Sequence, residues 1–210
     1  MPDKPLGQLV ITDSQPKLIV TQVDVDVLIK KVVRKMVDNR FKPKLLICIA
    51  TGGIFSGPII ARVLGIPYAV WMAQHYDDDE TKGTGSMRKK LSFATQLVFI
   101  SPGGKECELT PELVASDLRL IDLHDDLDDS GGTFHEGERQ LRDKFGQSFA
   151  LKTSCLWHKT SSNYYVDFVG EVIKPESTTN KWPWIMQPHE QLVETLSHDL
   201  AAELESYREI

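Results

Sequence analysis

The run LLICIA at 45–50 is apolar at every position, and it constrains the fold of this chain more than any other feature. Such a run is typical of a strand that is buried on both faces of a parallel sheet. Two further buried strands are predicted at 68–73 and 118–123, and apolar residues at helical spacing predict a helix over 24–39. Strands that alternate with helices indicate an α/β fold, with a mostly parallel, twisted sheet flanked by helices.

The remaining segments add elements around this sheet. Other strands are predicted at 17–20, 92–100, 149–157 and 165–173, other helices at about 56–64, 134–145 and 189–207, and a loop at 175–188. Residues 74–90 are polar and highly charged, which predicts a mobile loop or an extended hairpin. Residues 101–116 are predicted to be an irregular excursion with a helical turn after Pro111. Asp24 is the expected N-cap of the first long helix.

Composition excludes several classes of protein. The 210 residues carry a net charge of -6, which argues against a general nucleic-acid binder. No apolar run approaches the roughly 18 residues of a membrane span, and the N-terminal residues MPDKPLGQLV do not resemble a signal peptide. The three cysteines, Cys48, Cys107 and Cys155, have neither a disulfide pattern nor metal-ligand spacing. We therefore expect a cytoplasmic protein that forms a single domain over residues 1–210.

Two turns rich in small residues follow strands that are predicted to end at Ala50 and Leu123. In an open parallel sheet, ligands bind beyond the carboxyl ends of the strands. The position of these turns is the first indication of a binding site.

The second turn belongs to the most informative segment, LRLIDLHDDLDDSGGT at 118–133. Its small residues allow backbone N–H groups to converge on an anion, and the start of a helix adds a favourable dipole. The carboxylates of Asp125, Asp126 and Asp129 would repel a phosphate, so they need another partner. Sugar hydroxyls and Mg²⁺ are both suitable. A phosphorylated sugar with magnesium satisfies the whole segment.

This segment also has other interpretations. A solvated acidic loop that caps a helix through Asp129 or Ser130 is the simplest alternative. A Walker A loop is excluded because the sequence contains no GxxxxGK[ST], and dinucleotide binding lacks a G-x-G-x-x-G after a strand.

The segment closely resembles the phosphoribosyl diphosphate (PRPP) signature of the type I phosphoribosyltransferases. Further segments in the same order extend the resemblance over most of 45–190, and they point to the branch that uses hypoxanthine, guanine or xanthine. The resemblance implies that Asp125 and Asp126 bind the ribose hydroxyls and Mg²⁺, and that Asp129 is a general base near N7 of the purine. The residues expected to hold the 5-phosphate are Ser130, Gly131, Gly132 and Thr133. His124 is expected to have no role.

The first turn resembles the pyrophosphate loop of the family, which here comprises Thr51, Gly52 and Gly53. Glycine allows the backbone to approach the pyrophosphate closely. Many members carry Arg or Lys where Thr51 stands, so magnesium and the backbone are expected to hold pyrophosphate here. An ordinary strand-to-helix turn is the alternative.

Residues 74–90 occupy the place of the flexible lid that closes over PRPP in this family. A lid excludes water that would intercept a transition state resembling an oxocarbenium ion. Lys82, Arg88 and Lys89 are the candidates for contact with pyrophosphate, and a plain solvated loop is the alternative.

The base site is implied by two further matches. Lys159 stands where the family has a lysine that contacts the 6-oxo group, and an ammonium group can only donate hydrogen bonds. The segment at 184–190 resembles the family's W-I-x-x-P-W-[DE] stretch. It implies that Trp184 stacks on the purine and that the Ile185 backbone bonds the base edge. Trp182 is an alternative stacking residue.

Three other positions of the segment at 184–190 bear on the metal and on the choice of purine. Glu190 takes the place of an acid near pyrophosphate and Mg²⁺. Met186 and His189 depart from the family pattern on the side of the base's 2-position, so the resemblance does not choose among the three purines.

The resemblance implies an enzyme of purine salvage that transfers a 5-phosphoribosyl group from PRPP to a 6-oxopurine, with Mg²⁺ as cofactor. It also implies a small hood around the base, formed by residues of about 1–22 and 159–190, and a C-terminal helix at about 189–207. A homo-oligomer, either a dimer or a tetramer, is expected. The alternatives are a non-catalytic regulator of the same fold that binds PRPP or a nucleotide, and a phosphoribosyltransferase for another base.

Overall fold

The computed structural model describes residues 6–11, 15–77, 89–101, 104–201 and 205. The elements, in chain order, are β1 (Gln8–Val10), β2 (Lys17–Ile19), α1 (Gln22–Asp38), β3 (Leu45–Ala50), α2 (Gly57–Leu64), β4 (Tyr68–Asp77), β5 (Lys89–Phe93), β6 (Val98–Ile100), β7 (Glu106–Glu108), α3 (Pro111–Ser116), β8 (Leu120–Asp128), α4 (Gly132–Phe145), β9 (Ala150–Lys159), β10 (Phe168–Ile173), β11 (Trp184–Met186) and α5 (Pro188–Asp199). None of these helices is long and apolar enough to cross a membrane.

The chain divides into two compact units. The larger unit is Leu28–Ile173, and the smaller unit combines Met1–Val27 with Lys174–Ile210. The predicted arrangement of one domain with a hood stays a prediction.

An eight-stranded sheet forms the larger unit, with the strand order β10-β9-β8-β3-β4-β6-β7 and with β5 paired to β4. The strands from β10 to β4 are parallel to their neighbours, whereas β5, β6 and β7 pair antiparallel. The predicted fold class, a mostly parallel α/β sheet, is therefore confirmed. Strands β3 and β8 lie side by side, so the turns that follow them share one edge of the sheet.

Strand β8 is longer than predicted. It was expected to end at Leu123, but its pairing with β9 continues to Asp128, which lies opposite His158. The prediction was wrong because the polar residues at 124–126 and 128 indicated a turn, whereas the backbone ladder between parallel strands continues through them. One face of β8 packs into the apolar core through Ile121 and Leu123, which are fully buried.

Helix α1 begins differently from the prediction. Thr21, not Asp24, occupies the N-cap position: its Oγ1 accepts a hydrogen bond from the Asp24 N–H at 3.3 Å. The Asp24 carboxylate in turn accepts one from the Thr21 N–H at 2.9 Å. Asp24 is therefore the third helical residue, which closes a capping box with Thr21.

Residues 74–90 were predicted to be a mobile loop or an extended hairpin, and the described part has the form of a hairpin: strand β4 runs to Asp77 and pairs antiparallel with β5. Residues 78–88, with Lys82 and Arg88, lie outside the described residues, and Lys89 is the first residue of β5. The predicted strand at 92–100 is two strands, and the excursion at 101–116 contains β7 and α3, which Thr110 caps.

The smaller unit contains a three-stranded sheet with the order β1-β2-β11. Strand β11 lies within the predicted loop at 175–188, and it pairs parallel with β2. Helix α5 follows directly and begins with a capping box between Gln187 and Glu190. It covers the first part of the helix predicted at 189–207.

Candidate active site

The two glycine-containing turns meet at the carboxyl ends of β3 and β8. A Cβ atom added to Gly52 would lie 1.9 Å from Oδ1 of Asp126, and one added to Gly53 would lie 2.7 Å from the His124 carbonyl oxygen. The backbone of the first turn therefore rests directly on the acidic end of β8. This contact brings together the residues that the family resemblance assigns to pyrophosphate and to ribose. Thr51 is exposed beside them.

Asp125 and Asp126 form the acidic end of this contact. Asp125 is buried, and one of its carboxylate oxygens accepts a hydrogen bond from the Asp126 N–H at 2.9 Å. Burial raises the pKa of Asp125 well above its ordinary value, and the charges of Asp126 and Asp128 raise it further. A cation or hydrogen-bond donors brought by a ligand would relieve this repulsion.

This donor set agrees with magnesium bound together with a substrate. Mg²⁺ prefers carboxylate oxygens, and it usually combines one or two of them with water and substrate phosphates. Among the described residues, no group of three or more His, Cys, Asp or Glu side chains is arranged to hold a metal ion. Asp125 and Asp126 therefore fit an ion whose remaining ligands come from the substrate.

The second turn leads into α4. Gly131 is the N-cap of this helix with φ 87°, so the N-cap residue offers no side chain, and the first turn contains no acidic residue. The Gly132 N–H donates a long hydrogen bond to Oγ of Ser130, at 3.5 Å. The first N–H groups of a helix have no partner within it. Ser130, Gly132 and Thr133 thus surround a helix N-terminus that is suited to an anion.

The loop after β9 supports the second turn from the side. The Ser161 hydroxyl donates to the Asp129 carbonyl oxygen at 3.1 Å, and the Asn163 N–H donates to that of Ser130 at 3.4 Å. A Cβ atom added to Gly131 would lie 2.6 Å from Oδ1 of Asn163 and 2.8 Å from Cβ of Tyr164. Both conformation and space therefore require glycine at 131.

Lys159 and Asp129 form an ion pair at the ends of β9 and β8, with 3.0 Å between Nζ and Oδ1. The Lys159 side chain is buried, whereas 58% of the Asp129 side chain is exposed. The pair consequently presents a hydrogen-bond donor and an acceptor side by side.

A chain of four buried polar side chains lies beneath the first turn, and the sequence analysis did not predict it. Oγ of Ser56 lies 2.7 Å from Nε2 of His124, and Nδ1 of His124 lies 2.8 Å from Oγ of Ser154. Ser154 donates to Oδ2 of Asp122 at 2.7 Å. Burial lowers the pKa of His124 to about 3 and raises that of Asp122 to about 8. Polar residues within a run predicted to be a buried strand were the available signal.

A second polar pair was also missed. Nδ1 of His158 lies 2.7 Å from Oδ2 of Asp128 on adjoining strands. Asp128 is buried, and the His158 side chain is 19% exposed. Asp128 and His158 directly precede Asp129 and Lys159 in the sequence. Because successive side chains of a strand point to opposite faces, the two pairs point to different sides of the sheet.

The other predicted site residues lie in the smaller unit. Trp184 is 49% exposed, and together with Met186 and His189 it lines a groove of about 520 Å³. The Trp184 N–H and the Met186 carbonyl oxygen pair with the β2 side, so the backbone groups of Ile185 point away from β2. One Glu190 carboxylate oxygen accepts a hydrogen bond from the Gln187 N–H at 2.9 Å. Glu190 thus caps α5, a role that the sequence did not predict.

No protein-family model matches the sequence, and no curated protein matches it significantly. Solved structures match with high probability. One is a purine phosphoribosyltransferase from Pyrococcus horikoshii Ot3, 24% identical, with a TM-score of 0.58 over 83% of this chain and 93% of that chain. Another is a hypothetical protein from Neisseria gonorrhoeae with bound ppGpp, 19% identical, with a TM-score of 0.62 over 85% and 92%.

A third is the xanthine-guanine-hypoxanthine phosphoribosyltransferase of Helicobacter pylori, 17% identical, with a TM-score of 0.59 over 86% of this chain and 97% of that chain. At these identities the likeness concerns the fold. The resemblance to the phosphoribosyltransferases is confirmed at that level: the chain has the type I phosphoribosyltransferase fold.

Proposed function

We propose that this chain is an enzyme of purine salvage, which transfers the 5-phosphoribosyl group from PRPP to a 6-oxopurine and releases pyrophosphate. The ion pair of Lys159 and Asp129 is the observation that carries this proposal. It lies at the carboxyl ends of two parallel strands, where sheets of this kind bind ligands.

The pair complements one edge of a 6-oxopurine. The carbonyl oxygen at C6 accepts a hydrogen bond from the Lys159 ammonium, and the N7–H donates one to the Asp129 carboxylate. Adenine offers an amino group at C6, which would place a donor against the donor of Lys159. The buried Lys159 side chain makes such a mismatch costly, because a buried donor without an acceptor loses its hydration.

The rest of the site agrees with PRPP. Asp125 and Asp126 would accept hydrogen bonds from the ribose hydroxyls, and the N-terminus of α4 would hold the 5-phosphate. Thr51, Gly52 and Gly53 would hold pyrophosphate through the backbone. That Trp184 stacks on the purine and that the Ile185 backbone bonds its edge stay predictions from the resemblance; Trp184 is 49% exposed in the smaller unit.

Magnesium is proposed as the cofactor, held by Asp125 and Asp126 and by oxygens of PRPP. When bound, it would screen the charge of pyrophosphate. That Glu190 also holds the metal stays a prediction, and the capping hydrogen bond occupies one of its two carboxylate oxygens. A homo-oligomer and a cytoplasmic location also remain predictions.

In the transfer step, N9 of the base forms a bond to C1 of the ribose while the bond from C1 to the pyrophosphate oxygen breaks. The base is left with an excess proton at N7, and Asp129 is placed to accept it while Lys159 holds the C6 oxygen. Most of the rate would come from alignment of the two substrates and from placed charges, since no covalent intermediate with the protein is needed.

The experiment is a product assay with the purified full chain, PRPP, Mg²⁺ and each of hypoxanthine, guanine, xanthine and adenine. We expect nucleoside monophosphate with the 6-oxopurines and none in excess chelator. Asp125→Asn should mainly weaken PRPP binding, by about 1.5–3 kcal/mol, because it removes a charge-assisted hydrogen bond.

One observation keeps a second candidate open, a regulator that binds a nucleotide without catalysis. A structure with the same fold contains ppGpp. Calorimetry with PRPP and with ppGpp, run beside the product assay, separates the two functions. Tight binding without product for any of the four bases would contradict the enzyme and support the regulator.

A further inference from the structure

Ser56, His124, Ser154 and Asp122 form one continuous chain of hydrogen bonds in which every side chain is fully buried. Because Ser154 donates to Asp122, its oxygen accepts from Nδ1–H of His124. A neutral imidazole donates at one nitrogen and accepts at the other. Nε2 therefore accepts from the Ser56 hydroxyl, and the chain of donors runs from Ser56 to Asp122.

This chain of hydrogen bonds joins two segments that form the proposed site. Ser56 follows the first glycine turn, and its N–H donates to the Gly53 carbonyl oxygen. His124 directly precedes Asp125 and Asp126 on β8. The hydrogen bond between Ser56 and His124 thus connects the turn proposed for pyrophosphate to the strand end proposed for ribose.

Backbone contacts show how close these two segments lie. The position of a Cβ atom on Gly53 is 2.7 Å from the His124 carbonyl oxygen, and on Gly52 it is 1.9 Å from the Asp126 carboxylate. A displacement of the turn by a fraction of an ångström would therefore change the position of the Asp126 carboxylate. Apolar side chains could fill the space beneath the turn, but they would not fix its direction, whereas hydrogen bonds are directional.

We propose that His124 is a positioning residue, which sets the first glycine turn against Asp125 and Asp126 through its hydrogen bond with Ser56. The assignment of the turn to pyrophosphate rests on the proposed function, but the positioning itself can be measured without substrate.

Two variants of His124 separate the links of the chain. The amide of glutamine reaches the place of Nε2, so His124→Gln keeps a partner for Ser56 and loses the one for Ser154. The amide of asparagine reaches the place of Nδ1, so His124→Asn keeps Ser154 and loses Ser56. Ser56→Ala removes the same link from the other end. Thr153→Ala, on β9, is the matched control, because it removes partly buried hydrogen bonds to Asp167 that are not part of this chain of hydrogen bonds.

The first measurement is amide hydrogen exchange of Ile54 and Ser56, whose N–H groups bond within the turn. We expect His124→Asn and Ser56→Ala each to speed this exchange about tenfold, the size of one lost buried hydrogen bond. The double variant should be no faster than either single one, because both remove the same contact. His124→Gln should stay close to the wild type, and Thr153→Ala should leave these two amides unchanged.

The second measurement is the steady-state KM for PRPP and for the base. We expect His124→Asn and Ser56→Ala to raise the KM for PRPP and to leave that for the base unchanged. Two results would overturn the positioning role. One is an equal exchange rate of the Ile54 amide in His124→Asn and His124→Gln. The other is a change in exchange rate and KM that follows the thermal stability of every variant, including Thr153→Ala. Faster exchange in a protein that makes no nucleotide would support the positioning role and reject the proposed enzyme.

Discussion

The two glycine turns of the site are built in different ways. The first turn, residues 51–53, contains no charged side chain. It rests on the buried chain of hydrogen bonds that runs from Ser56 to Asp122. The second, residues 129–133, carries Asp129 and is supported from the side by the loop at 161–164. Glycine is needed in the first turn because a carboxylate and a backbone oxygen lie against it. In the second turn Gly131 has a positive φ as well as close neighbours, so backbone conformation is a requirement that only the second turn adds.

The largest expected effect concerns the support of the first turn. Burial raises the pKa of Asp122 to about 8, so the folded protein binds one more proton than the unfolded chain between about pH 4 and pH 8. The free energy of unfolding should therefore fall across this range and level off above it. Asp122→Asn removes this dependence and should be more stable than the wild type above pH 8, by on the order of 3–5 kcal/mol.

Urea denaturation of both proteins from pH 4 to pH 9 measures the difference. Near pH 4 the two should be nearly equal, because the Asp122 carboxyl is protonated in the folded protein and only about half ionised in the unfolded chain. A difference that does not grow with pH would show that the carboxyl is ionised in the folded protein.

The next effect concerns close approach in the first turn. Gly52→Ala should lower kcat/KM for PRPP about 100-fold or more, because displacement of the Asp126 carboxylate moves a substrate-binding group by about 1 Å. Gly132→Ala in the second turn should cost far less, since its added methyl would lie 3.6 Å from Oγ of Ser130. Steady-state kinetics with both variants tests the contrast, and equal losses would remove the distinction between the turns.

A smaller effect should come from backbone conformation in the second turn. Gly131→Ala places an L-residue at φ 87° and a methyl against Asn163 and Tyr164, so we expect a loss of about 2 kcal/mol in the free energy of unfolding. Gly65→Ala is the matched control, because Gly65 has φ 66° with open space around it, and it should cost about 1 kcal/mol. Denaturant titration of the two variants separates conformational strain from contact. A loss for Gly131→Ala no greater than that for Gly65→Ala would leave the side support without a stabilising role.

The two turns also show which parts of the fold can be predicted from the sequence. The apolar run at 45–50 and the small residues after it are enough to predict a parallel strand and a turn at the ligand-binding edge. The end of β8 was predicted five residues too early, at Leu123 rather than Asp128, because the polar residues there indicated a turn. A single sequence does not show that Asp122 and His124 find partners on elements far along the chain, so their burial could not be predicted.

The site follows the same division. Local motifs predicted the acidic pair, the helix N-terminus and the glycine turns, because each depends on residues close in sequence. The partners of Asp129 and Asp128 depend on the register between β8 and β9, which places residues 30 positions apart opposite each other. Glu190 shows the converse: the family pattern predicted a ligand, and a capping box now accounts for one of its oxygens.

The smallest effect concerns the ion pair of Lys159 and Asp129, which distinguishes the second turn from the first. Lys159 presents only donors, so adenine should be used more slowly than hypoxanthine or guanine, by a factor that corresponds to about 1–3 kcal/mol. Lys159→Gln should narrow this gap by about tenfold, since an amide can turn its oxygen toward the amino group of adenine. Met186 adds no charge beside the 2-position, so no strong preference for xanthine over guanine is expected.

Values of kcat/KM for the four purines, with wild type and Lys159→Gln, test this prediction. The KM for PRPP is the internal control, because the first turn, Asp125 and Asp126 are unchanged in the variant. A wild-type protein that prefers adenine over hypoxanthine would reject the 6-oxopurine assignment while leaving PRPP as a substrate. A variant that keeps the full gap would instead show that Lys159 does not select the base, and the second turn would then serve the phosphate and the N7 proton alone.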